Sequence, residues 1–109
     1  MKKYNLEDYF KGWFIGNFEP SLFKTNEFEI SIKRYKKDDF EKRHKHLIST
    51  EYTIIVSGEV EMNNEKYYAN DIIVIEPNDS TDFKCLTDTV TCVVKIPCIK
   101  NDKYEINIT

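Results

Sequence analysis

Apolar and polar positions alternate along much of this chain. In "FEISIKRY", Phe28, Ile30 and Ile32 take turns with Glu29, Ser31 and Lys33, the two-residue period of a half-buried strand. "EYTIIVSG", residues 51 to 58, is rich in β-branched side chains and closes on the turn pair Ser57-Gly58. "EVEM" alternates into Asn63-Asn64, a hairpin turn because Asn tolerates positive φ, and "EKYYA" returns from it. Asn70-Asp71 is a further turn signal ahead of the apolar run "IIVIE", and Pro77-Asn78-Asp79-Ser80 breaks the chain again. "TDFKCL" and "TDTVTCVVKI" complete the series before Pro97. Strands that recur about every 8–12 residues with turns between them predict an all-β sandwich or barrel. Helix is limited to a turn or two in "NLEDYFKGW", stopped by Gly12 and Gly16. No internal repeat or low-complexity segment interrupts the pattern.

Composition narrows the function classes. At 109 residues the chain makes one domain with a modest core. Its 16 basic and 19 acidic residues leave a net charge of −3, with no footprint for nucleic acid. The run "KRYKKDDFEKRHK" mixes both signs and reads as a solvated face. No apolar stretch reaches the ~20 residues of a membrane span. Lys2 and Lys3 are followed by no apolar segment of the secretory type. Cys85, Cys92 and Cys98 are odd in number and lack metal-type spacing, so they read as core fillers in a reducing compartment. The expected location is cytoplasmic, with neither nucleic acid nor membrane as partner.

Candidate chemistry concentrates in "HKHLISTE". The two histidines of the chain, His44 and His46, lie two positions apart, so on a strand they project to one face and Arg43 and Lys45 to the other. If residues 47–50 form a connection, Glu51 opens a neighbouring antiparallel strand and faces the imidazoles across the ladder. Two imidazoles and a carboxylate on one face suit a divalent transition metal with open positions. A charged strand on a polar surface is the plainer reading of the same residues.

His44-x-His46, Glu51 and Gly58, at this spacing, resemble the first motif of the cupin superfamily. "ANDIIVIEPND" resembles the second, with Asn70-Asp71 in place of Gly-Asp and Pro77-Asn78 where Pro-Gly is usual. The resemblance covers roughly residues 27 to 97. It implies a jelly-roll β-barrel of the small bacterial, RmlC-like kind, with a divalent metal (iron, manganese, nickel or zinc) in its mouth. His44, His46 and Glu51 match three of the four customary ligands. The leading glycine of the first motif falls on Asp38, and the histidine of the second falls near Thr81. That leaves three ligands, a fourth supplied by Asp82, or a vestige without metal; Thr81 would act only through a water.

Other residues bear on the pocket. Arg34 shares a face with Ile30 and Ile32 if the strand is regular, and would point inward to an anion or to Glu51; a frayed strand would leave it in solvent. Thr53 shares a face with Glu51. Lys95 reads as a pocket-lining residue or, more simply, as a surface lysine. Ten of the fifteen aromatic residues precede position 41, so residues 1–26 are expected as an arm that packs on the barrel of residues 27–109 or on a second subunit, within a homodimer. Three functions remain open. One is a metal-dependent enzyme, isomerase or oxygenase, acting on a small polar ligand such as a sugar or sugar phosphate; its catalytic residues are unassigned, with Tyr52, Tyr67 and Tyr68 as possible proton donors. Another is a non-catalytic small-ligand-binding or regulatory module, with or without a metal. The third is a metal-free sugar epimerase.

Overall fold

A computed structural model of the chain describes residues 1–106. Residues 107–109, the expected end of the barrel, lie outside the described residues. Two single 3₁₀ turns, Leu6–Asp8 and Phe10–Gly12, lead into ten strands. These are β1 (Trp13–Ile15), β2 (Glu29–Tyr35), β3 (Phe40–His46), β4 (Thr50–Ser57), β5 (Glu59–Met62), β6 (Glu65–Tyr68), β7 (Ile72–Ile75), β8 (Ser80–Cys85), β9 (Thr89–Ile96) and β10 (Lys103–Glu105). No described helix is long and apolar enough to cross a membrane.

The strands form two five-stranded antiparallel sheets, in the orders β1-β2-β9-β4-β7 and β10-β3-β8-β5-β6. Consecutive strands repeatedly cross from one sheet to the other, as in a jelly roll. We call the first the β4 sheet and the second the β3 sheet. Residues 1–26 supply the 3₁₀ turns and β1, the edge strand of the β4 sheet beside β2.

The turns explain the departures from the expected glycines. Asp38, Asn70 and Asn78 have φ of 75°, 80° and 73°. These are left-handed positions, where Asp and Asn are the tolerated replacements for Gly. Gly58, at φ 96°, is not replaceable in this way, because a Cβ would collide with the Asp88 carbonyl. Asn63 and Asn64 both take positive φ in the β5–β6 hairpin.

An apolar core occupies one end of the space between the sheets, where Ile55, Val60, Met62, Ile75, Phe83 and Cys85 pack together. The other end is polar. The β4 sheet turns an unexpected face to this interior. Its buried positions are Ser31, Thr53, Thr89 and Thr91, joined by Glu29, Lys33 and Lys95. Val93, Ile55 and Ile75 are the buried apolar members of this inner face, and the other apolar residues of these strands lie on the outside. Ile15, Ile30, Val94, Tyr52 and Val74 are cross-strand partners in one row spanning all five strands. Ile32, Cys92, Ile54 and Ile72 form the next row. Alternation identifies two faces of a strand, and here the apolar one is the outer one.

Candidate functional site

His44 and His46 project together from β3, with ring centroids 5.4 Å apart and ring planes at 87°. A bulge between Glu41 and His44 brings Glu41 to the same inner face. Arg43 points outward, where its guanidinium lies 3.8 Å from Asp82. The expected division of this strand into two faces is therefore observed. Nδ1 of His44 lies 2.9 Å from the Lys42 carbonyl oxygen. His46 is 4% exposed, and its Nε2 is buried without a hydrogen-bond partner. Burial, with the Lys95 ammonium second, depresses its pKa to about 4, so the ring is neutral near pH 7.

Glu51 does not lie across a ladder from the histidines. Residues 47–49 carry the chain from the β3 sheet to the β4 sheet, so Glu51 faces the interior from the opposite wall. β3 is paired with β8 and β10 instead. One oxygen of Glu51 accepts a hydrogen bond from the Thr53 hydroxyl at 2.8 Å. Thr81 is buried and directly opposite His44 on β8; its hydroxyl donates to the Asp82 carbonyl. Asp82 itself is on the outer face, accepting from the Asn63 N–H at 2.8 Å. The next residue after an inward Thr81 must point outward, so Asp82 is no fourth ligand.

Two expectations about basic residues are corrected. Arg34 is exposed and on the outer side of β2, because the inward positions of that strand are Glu29, Ser31, Lys33 and Tyr35. Lys95 is an interior residue, its side chain only 16% exposed and 3.8 Å from Glu29.

The interior consequently holds two lysines and three glutamates, with a third lysine, Lys103, exposed at its rim. Lys95 pairs with Glu29 and Lys103 with Glu41, each at 3.8 Å. Lys33 has no carboxylate within 4 Å among the described residues. Its ammonium sits 5.0 Å from the ring centre of Trp13, which Lys95 approaches at 5.2 Å. Burial pushes the Lys33 pKa down and that of Glu29 up. All of these but Glu51 line a cleft of about 1000 Å³ that also takes in His46, Arg34, Tyr35 and the 3₁₀ turns. Beneath it, His44, Glu51, Thr53 and Thr81 border a void of about 40 Å³. That is room for about one water-sized molecule.

Asp102 fixes the crossing between the sheets. Its carboxylate accepts from the backbone N–H groups of Leu47, Ile48 and Ser49 at 2.9–3.2 Å. Burial raises its pKa, but these donors outweigh that and hold it below the ordinary aspartate value. Asp102 thereby anchors the connection that follows His46.

Solved structures resemble this chain closely in fold. A Klebsiella pneumoniae protein with a double-stranded β-helix domain aligns over 98% of this chain and 93% of its own, at 15% identity and a TM-score of 0.72. A sugar phosphate isomerase of the cupin superfamily from Silicibacter pomeroyi aligns over 75% of this chain and 58% of its own, at 15% identity and a TM-score of 0.64. A cupin-2 domain protein from Shewanella frigidimarina covers 66% and 72%, at 12% identity and a TM-score of 0.57. The chain has a cupin fold. No protein-family model matches the sequence, and no curated protein does.

In this cupin barrel the resemblance implies a metal, and the donors test it. Among the described residues, no three His, Cys, Asp or Glu side chains come together as a metal site requires. Glu51 is held by Thr53 on the far wall, Thr81 stands where a fourth ligand is customary, and the Lys95 ammonium, cross-strand partner of Glu51, lies near enough to depress His46. As arranged, these residues do not fit a three-ligand metal centre.

Proposed function

We propose that this cupin binds a small anionic polyol, such as a sugar phosphate or sugar acid, in the cleft at the barrel mouth. The observation that carries the reading is an ammonium without an ion-pair partner, Lys33, that lines both the cleft and the void beneath it. The Lys33 ammonium is mostly buried yet lacks an ion-pair partner, Nε2 of His46 is unpartnered, and one oxygen of Glu51 is left over after Thr53. A buried ammonium calls for an anion. A carboxylate and a neutral imidazole nitrogen call for hydroxyl donors. A ligand with one anionic group and several hydroxyls would pair with Lys33 in the cleft, where the Trp13 ring supplies an apolar wall, and would reach Glu51 only through the void beneath. The cleft of about 1000 Å³ admits such a molecule. Likeness in fold to a sugar phosphate isomerase is consistent with this ligand class.

The test is a thermal-shift and calorimetric comparison of hexose phosphates and hexuronic acids with their neutral parent sugars. The anionic compounds are expected to bind and the neutral ones to bind at least about 10-fold more weakly, one charge-assisted contact being worth about 1.5–3 kcal/mol. Equal affinity for glucose and glucose 6-phosphate would remove Lys33 from the reading. Binding without turnover would make the chain a ligand-binding module. Solvent deuterium entering the bound sugar would make it an isomerase or epimerase, with His46 and Glu51 as the available proton acceptors.

A divalent metal is the second reading, and the same orphaned Nε2 of His46 favours it, a neutral imidazole being a good ligand. His44, His46 and Glu51 would hold it after Glu51 left Thr53. Elemental analysis of untagged protein purified without chelator tests this. A stoichiometric transition metal lost in Glu51→Ala supports it, and no uptake of iron, manganese, nickel or zinc ends it.

A further inference from the structure

We infer that Lys33 is a Schiff-base lysine, whose amine condenses with the carbonyl of a small 2-oxo acid or ketose phosphate drawn into the cleft. The inference rests on the reading above for the negative charge of the ligand, and goes beyond it by giving the cleft a covalent chemistry. Lys33 is partly buried on the inner face of β2 and lines both the cleft and the void beneath it. No ion pair among the described residues includes it. Its ammonium lies 5.0 Å from the centre of the Trp13 ring, and a second ammonium, that of Lys95, lies 5.2 Å from the same centre. A lysine becomes a nucleophile when it is desolvated or set beside another cation, because both disfavour the charged form. Lys33 has both conditions. Burial is the largest influence on it; Glu41 and Glu51 favour the ammonium, Lys95 and Lys103 oppose it, and the balance lowers its pKa. The other two lysines of the cleft are differently placed, Lys95 being tied to Glu29 and Lys103 to Glu41.

The step balances without a further reagent. The ammonium draws the anionic ligand in and then gives a proton to solvent through the cleft. The Nζ lone pair forms a bond to the carbonyl carbon, and the carbonyl π pair moves to the oxygen, which takes up a proton. The carbinolamine then loses that oxygen as water. Both hydrogens of the neutral amine leave with it, a C=N bond replaces the C=O bond, and nothing is oxidised or reduced. Once Lys33 has lost its charge, Lys95 remains beside Trp13 as a cation for the anionic group of the ligand. An imine draws electrons from the neighbouring carbon and so eases loss of a proton there. The unpartnered Nε2 of His46, a neutral imidazole lining the same cleft, is a base of the kind that loss requires.

The experiment is reductive trapping on the full chain with pyruvate and with dihydroxyacetone phosphate, using cyanoborohydride at neutral pH and mapping the adducts by peptide mass spectrometry. Cyanoborohydride delivers hydride to the imine carbon and leaves a stable secondary amine on the lysine. Labelling of Lys33 is expected at least about 10-fold above that of Lys66 and Lys84, which are exposed on the other sheet. Lys33→Arg, which keeps the charge, and Lys33→Met are each expected to abolish the main adduct, with circular dichroism verifying the fold. Should either variant fail to fold, the site-resolved map of the wild type decides by itself. No adduct on Lys33, or labelling spread evenly over Lys33, Lys66 and Lys84, overturns the inference. The two readings of the cleft fail separately. Binding of glucose 6-phosphate with no trapped ketone leaves the binding site standing and ends the imine. A Lys33 adduct in a protein indifferent to glucose 6-phosphate supports the imine and removes the polyol.

Discussion

The two sheets use the same two-residue period to opposite ends. On the β3 sheet, Val60, Met62, Phe83 and Cys85 point inward and Glu61, Lys84 and Asp82 point out, as the hydrophobic effect alone would arrange them. On the β4 sheet, Lys33, Lys95, Thr53 and Thr91 point inward beside Val93, Ile55 and Ile75, while Ile30, Ile54, Ile72 and Val94 point out. The cause is the job of each wall. Both close the core at one end and line the polar cleft at the other, but only the β4 sheet also carries an apolar surface outside. Alternation therefore reports that a strand has two environments, and function decides which of them is the interior.

The sharpest break in this contrast is at the join between the sheets. Asp102→Ala leaves three backbone N–H groups without their carboxylate. It is expected to cost about 3 kcal/mol in urea-induced unfolding. An effect under about 1 kcal/mol would mean that the crossing at 47–49 does not depend on it.

A smaller and pH-dependent effect separates the two histidines. The folded pKa of His46, about 4, lies below its ordinary value of 6.5. Between these values the unfolded chain binds the additional proton, so stability rises with pH. The contribution is fully present above about pH 6.5, is lost progressively down to about pH 4, and is constant below; it amounts to at most about 3 kcal/mol. Urea midpoints measured across this window should fall on acidification, and the slope should flatten in His46→Gln.

Lys33→Met tests the inverted wall itself. It replaces an ammonium that burial disfavours with an apolar chain of similar length. Stability is expected to rise by about 1 kcal/mol while binding of hexose phosphate is lost. A destabilised variant would mean that Lys33 is held for structure.

The smallest effect concerns the turns alone. Asn70→Gly, at φ 80°, relieves the left-handed backbone and should stabilise by about 0.5 kcal/mol in the same unfolding assay. A loss of stability there would assign the Asn70 side chain a role of its own.

Much of the fold was legible because turn chemistry is local. Asp38, Asn70 and Asn78 stand at left-handed positions, and the spacing of His44, His46, Glu51 and Gly58 resembled a cupin motif before any coordinates were considered. The common direction of the two histidines followed from strand geometry. The face of β2 did not, because Ile30 and Ile32 look like core residues to any rule based on burial. Arg34 stands in register with them, and no local signal marks Lys33 as inward. Asp82 was one position out of phase with the interior. Asp102 was invisible for a different reason: it acts 53–55 residues away from the amides it binds, and no local pattern marks such a partner.

The most direct test of the inverted wall is calorimetric titration of chelator-treated protein with glucose 6-phosphate and with glucose, in the wild type and in Lys33→Met. The expected result is binding of the phosphate by the wild type without metal, at least about 10-fold weaker binding of glucose, and loss of the difference in the variant. Binding that appears only on adding a transition metal, or that is unaltered by Lys33→Met, would contradict it.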